Sequence, residues 1–276
     1  MTGMPTPDTI VLIHGFWVTP RSWERWIPYY ENRGFQVLAP GYPGFEGEVE
    51  ALNADPSPIE ALTVPAIIEK LERIVGNLPA PPILMGHCAG GAFTQILLDH
   101  GFGAVGIAIN SAPTEGVPVI PFAQIKATFP VLRNPASYHR AVGYTPEQWH
   151  YAFTNTFPED ESRALYKRYH VPASGQILWD SSLANLLPGH QETWVDYDND
   201  NRAPLLFISG GEDHLMPPKI QQSNARRYRS NTVTAVREYP GYAHLVPAQQ
   251  GWETIADDAL DWALRHVKIP ADTARR

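Results

Sequence analysis

The only cysteine of the chain lies in the glycine-flanked sequence Gly86-His87-Cys88-Ala89-Gly90, between an apolar stretch and a stretch with helical spacing. A sharp turn at such a junction raises its central side chain above the backbone, and the flanking glycines let strand and helix approach closely. The first N–H of the helix then lies beside the sulfur, where the helix dipole favours a thiolate or an oxyanion. We therefore expect Cys88 to be a nucleophile, the alternative being a small buried cysteine in a tight turn.

Two residues further along the chain have the types that activate such a nucleophile. Asp213 follows an apolar strand in the sequence GGEDH, and His244 ends the loop sequence GYAH before the last helix. A histidine can move a proton from the nucleophile to the leaving group, and a carboxylate holds its tautomer and supports the imidazolium. The order of nucleophile, acid and base predicts acyl transfer by a Cys88, Asp213, His244 triad. A turn or cap residue and a surface-loop histidine are the non-catalytic alternatives; the alternative acids are Glu212 and Glu115.

The sequence HGFW after the first predicted strand adds an oxyanion site and part of a pocket. The backbone N–H of Phe16 can join that of Ala89 to hold the negative oxygen of a tetrahedral intermediate. Apolar residues flanking the motifs predict a pocket for a hydrophobic acyl or aromatic substrate. The predicted pocket residues are His14, Trp17, His87, Trp149, Phe153, Leu215, Met216 and Leu245. Structural roles are the alternative for the two histidines, and ordinary packing for the two aromatic residues at 149 and 153.

Metal and cofactor sites are not expected. A single cysteine can form neither an internal disulfide nor a thiolate zinc site, and the sequence has no HExxH motif and no GxGxxG after a strand. Histidines at 14, 87, 214 and 244 could gather near the site, but they lack a spacing pattern with carboxylates. We predict chemistry without a cofactor or a metal.

The elements that position these residues follow an alternating pattern. Predicted strands cover 9–14, 35–39, 83–86, 106–110, 205–209 and 233–238, with helices at 20–33, 64–75, 89–100 and 252–267 and a loop at 40–58. This alternation predicts an α/β fold with a mostly parallel sheet of about six strands, covered by helices on both faces. Residues 113–201 are aromatic-rich and helical in pattern, without a convincing strand. We expect a helical cap there, on a core formed by 1–112 and 202–276.

Charge and hydropathy limit the partners. The net charge is -8 and no Lys/Arg-rich run is present, which argues against nucleic acid and anionic membranes. No apolar run approaches the ~18 residues that a membrane helix needs. Residues 1–8 show no secretory signal, so we expect a cytoplasmic protein, a monomer or homodimer, with a small-molecule substrate.

With HGFW, GHCAGG, GGEDHLMPP and GYAHLVP, the chain resembles the α/β-hydrolase fold superfamily from Thr9 to about His266. The resemblance implies the parallel sheet, the cap and the triad, with fewer strands than the family's usual eight. Most relatives carry serine where Cys88 stands. The cysteine is similar to that of dienelactone hydrolases and polyhydroxyalkanoate synthases, although this chain is much shorter than the synthases. The segments FPVLRNPASYHRAV and YHVPASGQI resemble a branch of bacterial hydrolases.

The expected function is hydrolysis of an ester, thioester or lactone through an acyl-Cys88 intermediate. Transfer of the same acyl group to another acceptor by an acyltransferase or synthase is an alternative, as are a lyase and a ligand-binding relative with vestigial turnover. Haloalkane dehalogenation and epoxide opening use a carboxylate nucleophile, which this position lacks. An engineered Ser→Cys substitution at position 88 is an alternative to a natural cysteine there.

Overall fold

The computed structural model describes residues 7–119 and 121–267, and for Val131 only the backbone. Residues 1–6, part of the segment searched for a secretory signal, lie outside the described residues, as do residues 268–276 of the predicted core. No helix in these two ranges is long and apolar enough to cross a membrane.

A six-stranded parallel sheet forms the centre of the described chain, which confirms the expected parallel sheet of about six strands. Its strands are β1 Thr9–Ile13, β2 Gln36–Leu38, β3 Ile83–His87, β4 Val105–Ile109, β7 Leu205–Gly210 and β8 Thr234–Tyr239. In space they follow the order β2-β1-β3-β4-β7-β8. The strands β1, β3 and β4 are apolar apart from Thr9 and His87 at their ends, and every residue in them is buried, as is typical of a parallel sheet covered by helices on both faces.

Helices cover the two faces of this sheet in separate layers. They are α1 Trp26–Glu31, α2 Val49–Ala54, α3 Ser57–Glu60, α4 Val64–Gly76, α5 Ala89–Asp99, α10 Pro218–Ala225 and α11 Trp252–His266. Side chains of β1 alternate between the faces, so that Ile10 and Leu12 pack in the apolar cluster of α1 and α11. Val11 and Ile13 pack in the cluster that contains α4, α5 and α10.

Two local predictions are corrected. The predicted helix at 20–33 is a 3-10 helix, Pro20–Trp23, followed by α1, because the ring of Pro28 would clash with the carbonyl of residue 24 in a continuous helix. The predicted loop at 40–58 contains α2 and the start of α3. These short helices form because Val49, Leu52 and Ile59 are buried, which outweighs the local glycine and proline content.

The segment between β4 and β7 is mainly helical. It contains α6 Phe122–Leu132, α7 Pro146–Phe153, α8 Glu159–Tyr169 and α9 Gly175–Leu183. It also holds a short antiparallel pair, β5 Ala141–Val142 with β6 Ala173–Ser174, where no strand was predicted. A two-residue strand is too short to show the alternation by which a strand is recognised in a sequence.

Candidate active site

Cys88 occupies the turn between β3 and α5 with a backbone that only strained residues adopt, φ 55° and ψ -120°. The turn depends on its glycines. A β-carbon on Gly86 would lie 2.0 Å from the carbonyl oxygen of Gly90, and one on Gly90 would lie 2.2 Å from the carbonyl oxygen of Ile13. The Cys88 N–H donates to the Ile109 carbonyl at 3.0 Å, which ties the turn to the next strand. The sulfur-bearing residue is thus held rigidly at the carboxyl edge of the sheet.

Asp213 and His244 form a buried pair at the same edge. The Nδ1 atom of His244 lies 2.7 Å from Oδ2 of Asp213, and both side chains are fully enclosed. The other carboxylate oxygen, Oδ1, accepts the backbone N–H groups of Leu215 and Met216, each at 2.8 Å. The carboxylate is therefore fixed in place, and it fixes the His244 proton on Nδ1.

The charges that act on the His244 ring come from both Asp213 and Cys88. Nε2 is buried and makes no well-formed hydrogen bond to any described residue. Burial lowers the pKa of His244, but the charges of Asp213 and Cys88 and the hydrogen bond to Asp213 raise it from 6.5 to about 10. A thiolate at Cys88 would therefore favour a protonated His244 ring, as the carboxylate of Asp213 does.

His87 and Asn110 hold the loop that carries His244. The His244 carbonyl lies 2.8 Å from Nε2 of His87 and 3.0 Å from Nδ2 of Asn110. Asn110 also donates to the Ala243 carbonyl at 3.1 Å and accepts the Gly210 N–H at 2.6 Å. Burial, together with the nearby His244, holds the pKa of His87 well below its usual value, so its neutral ring donates from Nε2. Asn110 was not predicted from the sequence.

A cavity of about 360 Å³ opens beside Cys88. It has the size of a small-molecule site, and its surface is mainly apolar. The predicted residues that line it are Phe16, Trp17, Cys88, Ala89, Leu215 and Met216. Helices α6 and α9 supply much of the remaining wall, including Ile125, Phe129, Ile177 and Leu178.

Five predicted pocket residues are not among the residues that line this cavity. His14 packs on Tyr42 with ring centroids 3.9 Å apart, and its Nδ1 lies 2.8 Å from the Gly15 carbonyl oxygen. The rings of Trp149 and Phe153 stack at 4.1 Å, and Phe153 packs edge-on against His244 at 4.8 Å. The buried residues that do not line the cavity are His14, His87, Trp149, Phe153 and Leu245. These side chains are buried in packing contacts and do not form part of the cavity wall.

The N–H groups of Phe16 and Ala89 are available to a ligand. Neither donates a hydrogen bond to another residue in the described ranges, and both residues line the cavity with Cys88. The loop of Phe16 approaches the turn closely, since a β-carbon on Gly15 would lie 2.6 Å from the β-carbon of Cys88. In the part of the chain that the structure describes, two N–H groups without an acceptor therefore belong to residues that share the cavity wall with Cys88.

The alternative acids lie elsewhere. Glu212 is exposed, and Glu115 accepts the backbone N–H of Gln191 and contacts His190. His214 is bonded through Nδ1 to the Tyr151 carbonyl at 2.9 Å. Within 7–119 and 121–267 there is no cluster of three residues that could hold a metal ion.

Several solved structures are similar to this chain. An extracellular alpha/beta-hydrolase from a Paenibacillus species, described as a structural and functional homologue of tobacco salicylic acid binding protein 2, has a TM-score of 0.70 at 18% identity, over 95% of this chain and 100% of that chain. A pyrethroid hydrolase from Sphingobium faniae JZ-2 has a TM-score of 0.65 at 18% identity, over 94% and 98%. The monoacylglycerol lipase of Paleococcus ferrophilus has a TM-score of 0.64 at 18% identity, over 95% and 96%.

These identities demonstrate a shared fold, and no curated protein matches the sequence. The sequence pattern of the Alpha/beta hydrolase family matches residues 10–258, a range that includes Cys88, Asp213 and His244. This chain is therefore a member of the Alpha/beta hydrolase family.

Proposed function

We propose that this protein hydrolyses an ester, thioester or lactone through a covalent acyl-Cys88 intermediate. The observation that carries the proposal is the buried His244–Asp213 pair, joined at 2.7 Å, together with the position of Cys88 in a strained turn on the wall of the cavity. The mainly apolar cavity supports a small substrate with a hydrophobic acyl or aromatic group. The names of two structural neighbours, a pyrethroid hydrolase and a monoacylglycerol lipase, are those of hydrolases.

In the first half of the reaction, the Cys88 thiolate attacks the carbonyl carbon and forms a carbon–sulfur bond. The carbonyl oxygen becomes negative and accepts the N–H groups of Phe16 and Ala89. As the bond to the leaving group breaks, protonated His244 gives its Nε2 proton to that group. Asp213 keeps the ring oriented throughout. The product of this half is a thioester on Cys88 and a free alcohol or thiol, or a tethered alcohol from a lactone.

In the second half, water attacks the thioester carbonyl and His244 takes one proton of that water. The carbon–sulfur bond then breaks, which releases a carboxylic acid and restores the thiolate beside the imidazolium. Another alcohol, amine or thiol that replaced water would give acyl transfer by the same steps.

We also propose that residues 113–201 form a cap over a core of 1–112 and 202–276. Helices α6 and α9 of this segment support the proposal because they line the cavity opposite the sheet edge that carries Cys88. A cap in this place would select substrates by shape and would limit the entry of water to the thioester.

The test is intact-mass measurement after brief incubation with 4-nitrophenyl esters, lactones and alkyl thioesters. We expect one acyl group on the wild-type protein, located on Cys88, and no adduct on Cys88→Ala. A competing alcohol separates the two outcomes of the second half, since hydrolysis yields free acid and transfer yields a new ester. Because the chain has one cysteine, iodoacetamide reports on this position alone. Full ester turnover after complete alkylation, or tight binding without any adduct, would contradict the proposal.

A further inference from the structure

We propose that the substrate carries a carboxylate at the end remote from its ester and that the Arg133 guanidinium binds this group. The inference rests on the proposed function, because it takes the Cys88 end of the cavity as the place of acyl transfer. It adds a substrate class, amphiphilic esters of dicarboxylic acids, and a residue that determines specificity.

The two ends of the cavity differ in exposure and polarity. Cys88 is 1% exposed and lies at the inner end, where Trp17, Phe93 and Met216 provide apolar walls. Arg133, at the end of α6, lines the same cavity but is exposed to solvent. A substrate with its ester at Cys88 therefore extends along apolar walls towards a cation at the mouth.

Arg133 is the only charged side chain on the described wall of this cavity, which includes no aspartate or glutamate. In the described ranges it makes neither an ion pair nor a side-chain hydrogen bond. Other exposed arginines of the chain, such as Arg163 and Arg229, pair with acids at 2.9 Å and 2.6 Å. An arginine without such a partner keeps its planar donors available for a carboxylate.

The sequence on either side of Arg133 has no acidic residue for several turns of chain. Residues 116–146 contain no aspartate or glutamate, although the whole chain has a net charge of -8. Two acids, Asp180 and Glu192, line an adjoining cavity of about 230 Å³ that shares Ser181 and Thr193 with this one. Burial and the charge of Asp180 raise the pKa of Glu192. The adjoining cavity is thus unfavourable to an anion, so Arg133 is the group that would bind the substrate carboxylate.

The experiment compares two 4-nitrophenyl esters with the same six-carbon acyl chain. The hexanoate ends in a methyl group and the hydrogen adipate ends in a carboxylate. We expect Arg133→Gln to lower kcat/KM for the adipate ester at least tenfold, mainly through KM, and to change that for the hexanoate less than twofold. The longer suberate and sebacate half-esters identify the chain length that spans the cavity.

A matched control is available on the same helix. The Lys126 ammonium lies 4.0 Å from the centre of the Tyr151 ring and its residue does not line the cavity. Lys126→Gln removes the same charge and should leave the ratio of the two kcat/KM values unchanged. High salt should lower the ratio in the wild type and not in Arg133→Gln.

Each outcome bears on one proposal. Wild-type acylation with no dependence of the ratio on Arg133, at any chain length, would overturn the carboxylate assignment and leave the acyl-Cys88 proposal standing. Equal losses for both esters in Arg133→Gln would also overturn it, since they indicate a structural role. Absence of an acyl adduct with every ester of wild-type protein would instead contradict the proposed function.

Discussion

Replacement of Asp213 by asparagine separates the charge of the carboxylate from its shape. Oδ1 of Asp213 accepts two backbone N–H groups at 2.8 Å, so the amide oxygen of the Asp213→Asn variant would be held at that position. The amide NH₂ then faces Nδ1 of His244, which must accept its proton. The ring proton moves to Nε2, on the side of Cys88, where the ring can no longer take a proton from the thiol or from water.

The expected loss follows from that tautomer. An isosteric replacement of the acid in a catalytic triad lowers kcat by about 10,000-fold, which corresponds to about 5.5 kcal/mol of transition-state stabilisation. Loss of the Asp213 charge should also lower the pKa of His244, because that charge is the largest of the contributions that raise it. The fold should persist, since the two hydrogen bonds to Oδ1 are retained.

The assay is kcat/KM for 4-nitrophenyl butyrate, with ¹⁵N NMR of the His244 ring to report its tautomer. Glu212→Gln is the matched control: it removes an exposed carboxylate from the neighbouring position and should keep activity within twofold of wild type. Activity of Asp213→Asn within tenfold of wild type would refute the reasoning, as would an equal loss in the control.

Three further predictions concern stability. The pKa of His244 is about 10 in the folded protein and 6.5 for an ordinary histidine. The contribution of its protonation to the free energy of unfolding is therefore complete below pH 6.5 and is lost as pH rises to 10. Urea midpoints should fall over this window, and fall less in Asp213→Asn. Gly15→Ala places a β-carbon 2.6 Å from the β-carbon of Cys88 and should lower the free energy of unfolding by about 1–3 kcal/mol. Gly47→Ala is the control: its new β-carbon would lie 3.4 Å from its nearest neighbour and should leave the thermal midpoint unchanged. Asn110→Ala leaves buried carbonyl and N–H groups unpaired and should cost about 1–3 kcal/mol, with a loss in kcat rather than a rise in KM. A urea midpoint independent of pH would contradict the first prediction, and equal midpoints for the two glycine-to-alanine variants would contradict the second. An unchanged kcat in Asn110→Ala would contradict the third.

The sheet could be predicted because its strands are buried on both faces. A run such as Thr9–Ile13 has no polar residue in its interior, and it is recognisable without knowledge of its neighbours. The acid and the histidine could be placed near each other for a different reason: loops that leave parallel strands meet at one edge of the sheet.

The wall of the cavity could not be predicted in this way. Aromatic content identified Trp149 and Phe153, but their rings stack on each other behind the wall, while Ile125 and Phe129 of another helix line it. A helical pattern shows which residues share a face and does not show what that face contacts. Asn110 escaped prediction because the three hydrogen bonds of its side chain all reach residues at least a hundred positions away.

The enclosure of the His244 ring has a consequence for where its proton can travel. One nitrogen is bonded to Asp213 and the ring has no exposed surface, so in the proposed reaction we expect its proton to exchange with bulk water by way of Cys88 and the cavity that Cys88 lines. A bound substrate fills that route. In the proposed reaction, the proton is then retained for the departing group instead of escaping to solvent, and the rate should depend little on the concentration of external buffer.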